Sequence, residues 1–347
     1  MAKANHPYKN IPARAFWKKA IAERHYGDMS ELAERIPLKR SDKIATAGSC
    51  FAQHIGNRLA SSGADYLDME PAPSGWSRDD ARTHGFGIYS CRYGNIYTVR
   101  QLCQLAEEAF GLTDRKPEVW VKDGRYFDAL RPSVDPVGHE SESAIGSLRE
   151  KHLAAVRSMF RELDVLVFTL GLTEAWINRE TGLVYPLAPG TSAGDYDPEL
   201  HAFHNFRYPE IIEDLRKFWT ILKAENPSAR MILTVSPVPL VATASPHHVL
   251  AATTYSKSVL RAVAGDFSSE EDGVYYFPSF EIISSTPGSG WFFNPDKRTV
   301  NKMGVDYVMQ HFFSCLDGFS PSSSKDEYDA DVVCDEEKLE KFANPAS

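Results

Sequence analysis

Cysteine is scarce in this chain: five in 347 residues, at positions 50, 91, 103, 315 and 334. The number is odd and no CxxC or other metal-ligand spacing occurs, which argues against a disulfide framework or a zinc ribbon. Positive charge is also short. Lys and Arg number 38 against 47 Asp and Glu, a net charge of −9, so there is no basic footprint for nucleic acid or an anionic membrane. The opening MAKANHPYKN has no apolar h-region and is not read as a signal peptide. No apolar run reaches the length of a membrane span. A reduced, cytoplasmic protein is expected. Motifs for bound groups are missing too. Gly85-Phe86-Gly87 lacks the third glycine of a dinucleotide loop, and there is no GxxxxGK, HExxH or EF-hand loop. No cofactor and no metal are expected, and the sequence leaves the oligomeric state open.

What is present is ordinary for a globular protein large enough to bury a full core: 43% hydrophobic, 24% charged, 12% aromatic. Residues 1–40 read as an irregular N-terminal arm with one short helix, anchored by Phe16, Trp17 and Ile21. Residues 41–317 read as the domain. Residues 318–347 hold eight acidic and three basic residues and many serines. They are expected to form a disordered tail that adds little to the fold. Strands are expected at 43–47, 65–69, 164–170, 230–235 and 274–277. Helices are expected through 59 and near 98–110, 147–163, 209–224, 255–264 and 304–316, with a loop-rich excursion over 171–207. This alternation predicts a three-layer α/β/α fold around a central, mostly parallel five-stranded sheet. Ligands of such sheets bind beyond the carboxyl ends of the strands.

One of those ends carries the most informative stretch, AGSCFAQHIGNRL from Ala47 to Leu59. Phe51, Ile55 and Leu59 repeat at helical spacing, so Ser49 stands where a strand becomes a helix. Such a corner exposes a hydroxyl and aims helix amides at it, as nucleophilic serines require. Locally the same serine serves equally as the N-cap of that helix.

Gly48-Ser49-Cys50-Phe51-Ala52, together with FTLGLTEAW (168–176), TVSPVPL (234–240), TYSKSVLRAV (254–263) and YYFPSFEI (275–282), resembles the GSCFA family of the SGNH (GDSL-like) hydrolases, from about Asp42 to Phe313. The resemblance implies an SGNH/flavodoxin-like sheet, a serine placed as a nucleophile and an association with polysaccharides. It also implies an Asp-x-x-His motif near the C-terminus. Here Asp296 is present, but Thr299 stands where the histidine is expected.

The site residues follow from that departure. Ser49 is the candidate nucleophile. His248, after the fourth strand, is the candidate base, with Asp296 or Glu174 as its orienter. His247 and His248 also read as a plain surface pair. His54, five residues on along a helix, points away from Ser49 and stands instead at i+4 from Cys50. His311 is placed on the surface or facing a groove. The amides of Ser49 and Gly87 are candidate oxyanion donors, with Thr173 a third; Gly87 reads equally as a turn. Trp176 is a candidate sugar-stacking surface or a core-rim residue. The leading expectation is a serine-dependent esterase or acyltransferase acting on a small-molecule or glycan ester. A non-catalytic saccharide- or partner-binding protein on the same scaffold is the alternative.

Overall fold

A computed structural model describes residues 6–29, 31–116, 118–288, 290–319 and 332–343. Five parallel strands form the central sheet: β1 (Lys43–Gly48), β2 (Asp65–Tyr66), β5 (Val165–Leu170), β9 (Arg230–Val235) and β10 (Val274–Phe277). Their order across the sheet is β10-β9-β5-β1-β2. In chain order this is 2-1-3-4-5, the doubly wound arrangement whose order reverses between the first and third strands. The α/β class and the positions of the five strands are as the sequence predicts, except that β2 holds only Asp65–Tyr66 of the 65–69 expected.

Alternation along each strand sorts side chains to two faces. Ala45, Ala47, Leu166, Phe168, Met231 and Leu233 face one core. Three helices supply its other side: α4 (Glu142–Glu162), α5 (Tyr208–Glu225) and α6 (Val249–Glu270), with Met159, Phe160, Leu215, Phe218, Val263 and Phe267. Ile44, Val165, Val167 and Ile232 face the second core. There they meet α1 (Phe51–Ser61), α7 (Ser279–Ser284) and α8 (Lys302–Cys315). His311 sits inside α8, buried and edge-on to Tyr307, rather than at the surface.

Two excursions depart from the sequence reading. Between β2 and α4 the chain forms α2 (Arg78–Thr83), α3 (Val99–Ala109) and a hairpin of β3 (Val119–Lys122) and β4 (Arg125–Asp128). The hairpin turn is Asp123-Gly124, both at positive φ, as a two-residue turn of this kind demands. The 171–207 excursion is not merely loop. It carries an antiparallel sheet of β6 (Glu174–Asn178), β7 (Val184–Tyr185) and β8 (His201–Asn205). The N-terminal arm is held by Tyr26, Met29, Ile36 and Leu38 in the second core. Trp17, expected as an anchor, is 68% exposed.

The acidic stretch differs most. Residues 332–343 pack onto the domain instead of trailing from it, with Asp335 and Glu336 buried. Of the remainder of 318–347, only 318 and 319 fall within the described residues.

Candidate functional site

Gly48 ends β1 at φ +135°, and a Cβ there would lie 2.4 Å from the Thr169 carbonyl oxygen of β5. Only glycine lets the two strands remain this close as the chain turns into α1. Ser49 follows immediately. Its amide donates to Thr169 O at 3.2 Å, its carbonyl accepts from Ala52 N at 2.9 Å, and Tyr89 Oη donates to the same carbonyl at 3.1 Å. The corner is therefore fixed by backbone bonds, and no side chain caps α1. This corner lies at the reversal point of the sheet, between the carboxyl ends of β1 and β5.

The Ser49 side chain is 2% exposed and its Oγ has no hydrogen-bond partner among the described residues. Thr169 Oγ1, Thr173 Oγ1 and Tyr97 Oη are buried without partners as well. All four come from the carboxyl ends of β1 and β5 and the segments beside them. Unpaired buried oxygens are rare because each one forfeits its hydration. Gly171 makes room for the serine: a Cβ on it would stand 2.8 Å from Ser49 Cβ.

Behind Gly171 stands Lys257 of α6, 2% exposed, its Nζ donating to Gly171 O at 2.7 Å. Burial, reinforced by the Arg298 charge, lowers its amine to about 8; Glu336 and the cysteines work the other way. No short acid–base motif marks this lysine in the sequence. A signal exists nonetheless, because Lys257 falls three residues before Leu260 and seven before Ala264, on the apolar stripe of α6.

The 332–343 segment lies over this corner as a strap. Val333 exchanges two hydrogen bonds with the Gln53 amide, at 2.8 and 3.0 Å. Asn95 Nδ2 donates to Val333 O at 3.2 Å and to Asp335 Oδ2 at 2.8 Å. The Arg298 guanidinium reaches Cys334 Sγ at 3.4 Å, Glu336 at 3.5 Å and Glu337 at 3.3 Å. Lys338 donates to Ser133 at 2.6 Å, and Lys341 to Thr191 O at 2.6 Å. Burial raises Glu336 to about 7, against the pull of Arg298 and Lys257. A cavity of about 550 Å³ opens between Cys50, His54, Val238, Arg298 and Cys334. A second, of about 300 Å³, is bounded by Glu174, Trp176, Leu240, Thr243, Glu336 and Phe342. Ser49 thus stands at the expected corner but beneath a cover, not at an open mouth.

The other expected residues disperse. His248 is exposed and caps α6, its Nδ1 accepting from Leu250 N at 3.1 Å. No histidine nitrogen reaches Ser49 Oγ. The predicted His248–Ser49 pairing is therefore not made, because the ring is used to start a helix. Asp296 accepts from the amides of Arg298 and Thr299 and from the Thr299 hydroxyl. It shapes the turn that presents Arg298. Gly87 is exposed in a turn at φ +63°. The segment that meets the corner is instead the one after Gly94, where Ile96 N donates to Gly48 O at 2.9 Å. The Ser49 amide is committed to Thr169 and is not open to an oxyanion. Thr173 is fully buried, its amide bound to Ser256 Oγ. Glu174, raised by burial, accepts from Thr243 Oγ1 at 2.8 Å on the second cavity. Trp176 packs edge-on against Tyr196 and Phe203 on that cavity. Sequence reasoning missed Asn95, Lys257, Arg298 and Glu336.

Comparison with known proteins bears on this corner. The chain matches the GSCFA family over residues 43–312, from the start of β1 into α8. It belongs to that family. The match contains Ser49, Asn95, Lys257 and Arg298; the strap lies beyond it. No curated protein matches this GSCFA chain by sequence. Among solved structures it is similar to a carbohydrate esterase family 3 protein from Talaromyces cellulolyticus. The identity is 12% and the TM-score 0.28, covering 78% of this chain and 94% of that one. It is also similar to a serine-to-alanine mutant of an acetyl esterase with acetate ion, at 13% and 0.28, covering 78% and 93%. A third similarity is to an acetyl xylan esterase from the rumen bacterium Butyrivibrio proteoclasticus, at 13% and 0.24, covering 70% and 56%. Likeness this low carries no argument; the fold of this GSCFA protein rests on its strand order. Among the described residues no cluster of His, Cys, Asp and Glu could hold a metal, and no helix is long and apolar enough to cross a membrane.

Proposed function

We propose that this protein is a serine-dependent acyl hydrolase with Ser49 as nucleophile. The observation that carries the reading is the buried, unpartnered Ser49 Oγ at the strand-to-helix corner of the sheet's reversal point. Attack on an ester carbonyl forms an acyl-serine and a tetrahedral oxyanion on the way. Lys257, its amine lowered far enough to be partly neutral near pH 8, takes the serine proton once it is released from Gly171 O, since in the covered state Ser49 Oγ has no partner among the described residues. Asn95 Nδ2, Thr173 Oγ1 and the amino end of α1 are the available stabilisers of the oxyanion. In the covered state Asn95 instead donates to the Asp335 carboxylate. Acyl chemistry therefore requires the strap to shift.

The substrate we propose is a glycan-linked or small-molecule ester. The family's polysaccharide association supports this, as does Trp176 beside the second cavity. Transfer to a sugar hydroxyl in place of water uses the same acyl-serine. The second reading, a non-catalytic saccharide- or partner-binding protein, is favoured by Thr299 in place of the motif histidine and by the occupied cleft.

A fluorophosphonate serine probe separates the two. The hydrolase reading expects labelling of the wild-type chain and none of Ser49→Ala. An intact, folded chain that takes no label and hydrolyses no p-nitrophenyl ester supports the binding reading instead.

A further inference from the structure

Five cysteines occur, and they are not alike. Cys91, Cys103 and Cys315 are buried, and burial pushes each thiol up. Cys91 Sγ contacts Met159 Sδ at 3.7 Å and Cys315 Sγ donates to the Phe312 carbonyl at 3.1 Å. These are packing groups. Cys334 differs in every respect. It is partly exposed, it lines the 550 Å³ cavity, and the Arg298 guanidinium donates to its sulfur at 3.4 Å. The other sulfur on that cavity belongs to Cys50, at the start of α1 and next to Ser49. Val333, next to Cys334, is bonded to Gln53, three residues past Cys50, so both thiols line the same end of the cavity. The neighbouring Cys50 thiol and the Arg298 charge lower Cys334, while Cys334 and burial raise Cys50.

We propose that Cys50 and Cys334 are an oxidant-responsive thiol pair whose disulfide fastens the 332–343 strap across the Ser49 corner. The oxidant is hydrogen peroxide, small enough to enter the cavity. The Cys334 thiolate attacks the peroxide O–O bond, becomes a sulfenic acid and releases water after one proton is taken up. The Cys50 sulfur then attacks the sulfenic sulfur. The S–S bond forms, the S–O bond breaks, and the Cys50 proton leaves with the hydroxyl as a second water. Two thiols are oxidised and one peroxide is reduced to two waters. Cys334 attacks first because its thiol is the lowered one, held against the Arg298 cation, and Cys50 resolves because it lines the same cavity. The thiol chemistry stands apart from the hydrolase reading, which is needed only for the consequence that acylation of Ser49 is shut off.

The test uses the reduced full chain and one equivalent of hydrogen peroxide. Mass spectrometry after alkylation in denaturant should show loss of two hydrogen atoms and a tryptic peptide joining Cys50 to Cys334. In native buffer Cys334 should alkylate at least about tenfold faster than Cys103, as expected for a thiolate beside a cation. C50S should stop at a sulfenic acid on Cys334, trapped as a dimedone adduct. C334S, which alters only the strap, should keep the fold and lose the fast oxidation. A crosslink between any other cysteines, or Cys334 still fully alkylatable after peroxide, overturns the proposal. So does a C50S chain that loses the same two hydrogens. Each of these readouts is independent of esterase activity, so a chain that ignores fluorophosphonate leaves the thiol result to stand or fall alone.

Discussion

Gly48 is the residue on which the corner turns. At φ +135°, with the Thr169 carbonyl 2.4 Å from where a Cβ would be, G48A must strain the backbone and push β1 off β5. The expected loss is about 3–5 kcal/mol, read as a fall in the urea midpoint or as insoluble chain. A shift within the noise of the measurement would show that β5 yields. Lys257 carries the second prediction. A base must be neutral to accept a proton, so activity should climb as pH rises through about 8, the value to which burial lowers the amine. K257M should lose roughly 10²- to 10⁴-fold and with it that rise, whereas H248A should keep both. The corner itself was readable, from a strand-like run ahead of Ser49 and apolar residues at i, i+4 and i+8 behind it. The base was not. Lysine is ordinarily a surface residue, and only its place on the α6 stripe shows that it is buried.

At the scale of elements, the strap is the surprise. Its polar groups looked unburiable because their partners are scattered: Gln53, Asn95, Ser133 and Thr191 each meet one or two strap residues, and Arg298 meets three. No local pattern announces such docking. The Asp123-Gly124 turn, by contrast, was written in the sequence and needs only its hairpin rule to be read. A chain ending at residue 331 should unfold several degrees lower, since Lys257 and Arg298 lose the carboxylates that face them. A midpoint unchanged within about 1 °C would make the strap a passive cover. The same truncation should take fluorophosphonate faster than the full chain, because Asn95 Nδ2 is then released from Asp335.

For the whole molecule, five strands alternating with helices made the parallel sheet and its ligand edge legible, and the 2-1-3-4-5 order then fixed which two strand ends meet. Stability should carry a mark of acid. His152 is buried in α4, and burial, with the Arg131 charge, lowers it to about 4 although Glu70 accepts its Nδ1 hydrogen bond. The unfolded chain takes up this proton below about 6.5 and the native chain only near 4. Stability is therefore intact above 6.5 and lost as pH falls toward 4, by about 3 kcal/mol at most. H152Q should flatten the decline of Tm between pH 6.5 and 4.5. An unchanged slope would assign the acid sensitivity to other groups.

The strap also has a place in time. It follows every strand of the sheet and all of α8 in the sequence, so a ribosome delivers it after the residues it covers. The stretch from 316 to 343 takes roughly 1–6 seconds to make at ordinary rates of synthesis. For that interval a nascent chain can hold Ser49 and Cys50 uncovered in a finished corner. Whatever closes over them later, the newborn protein passes through an open form that the mature one leaves behind.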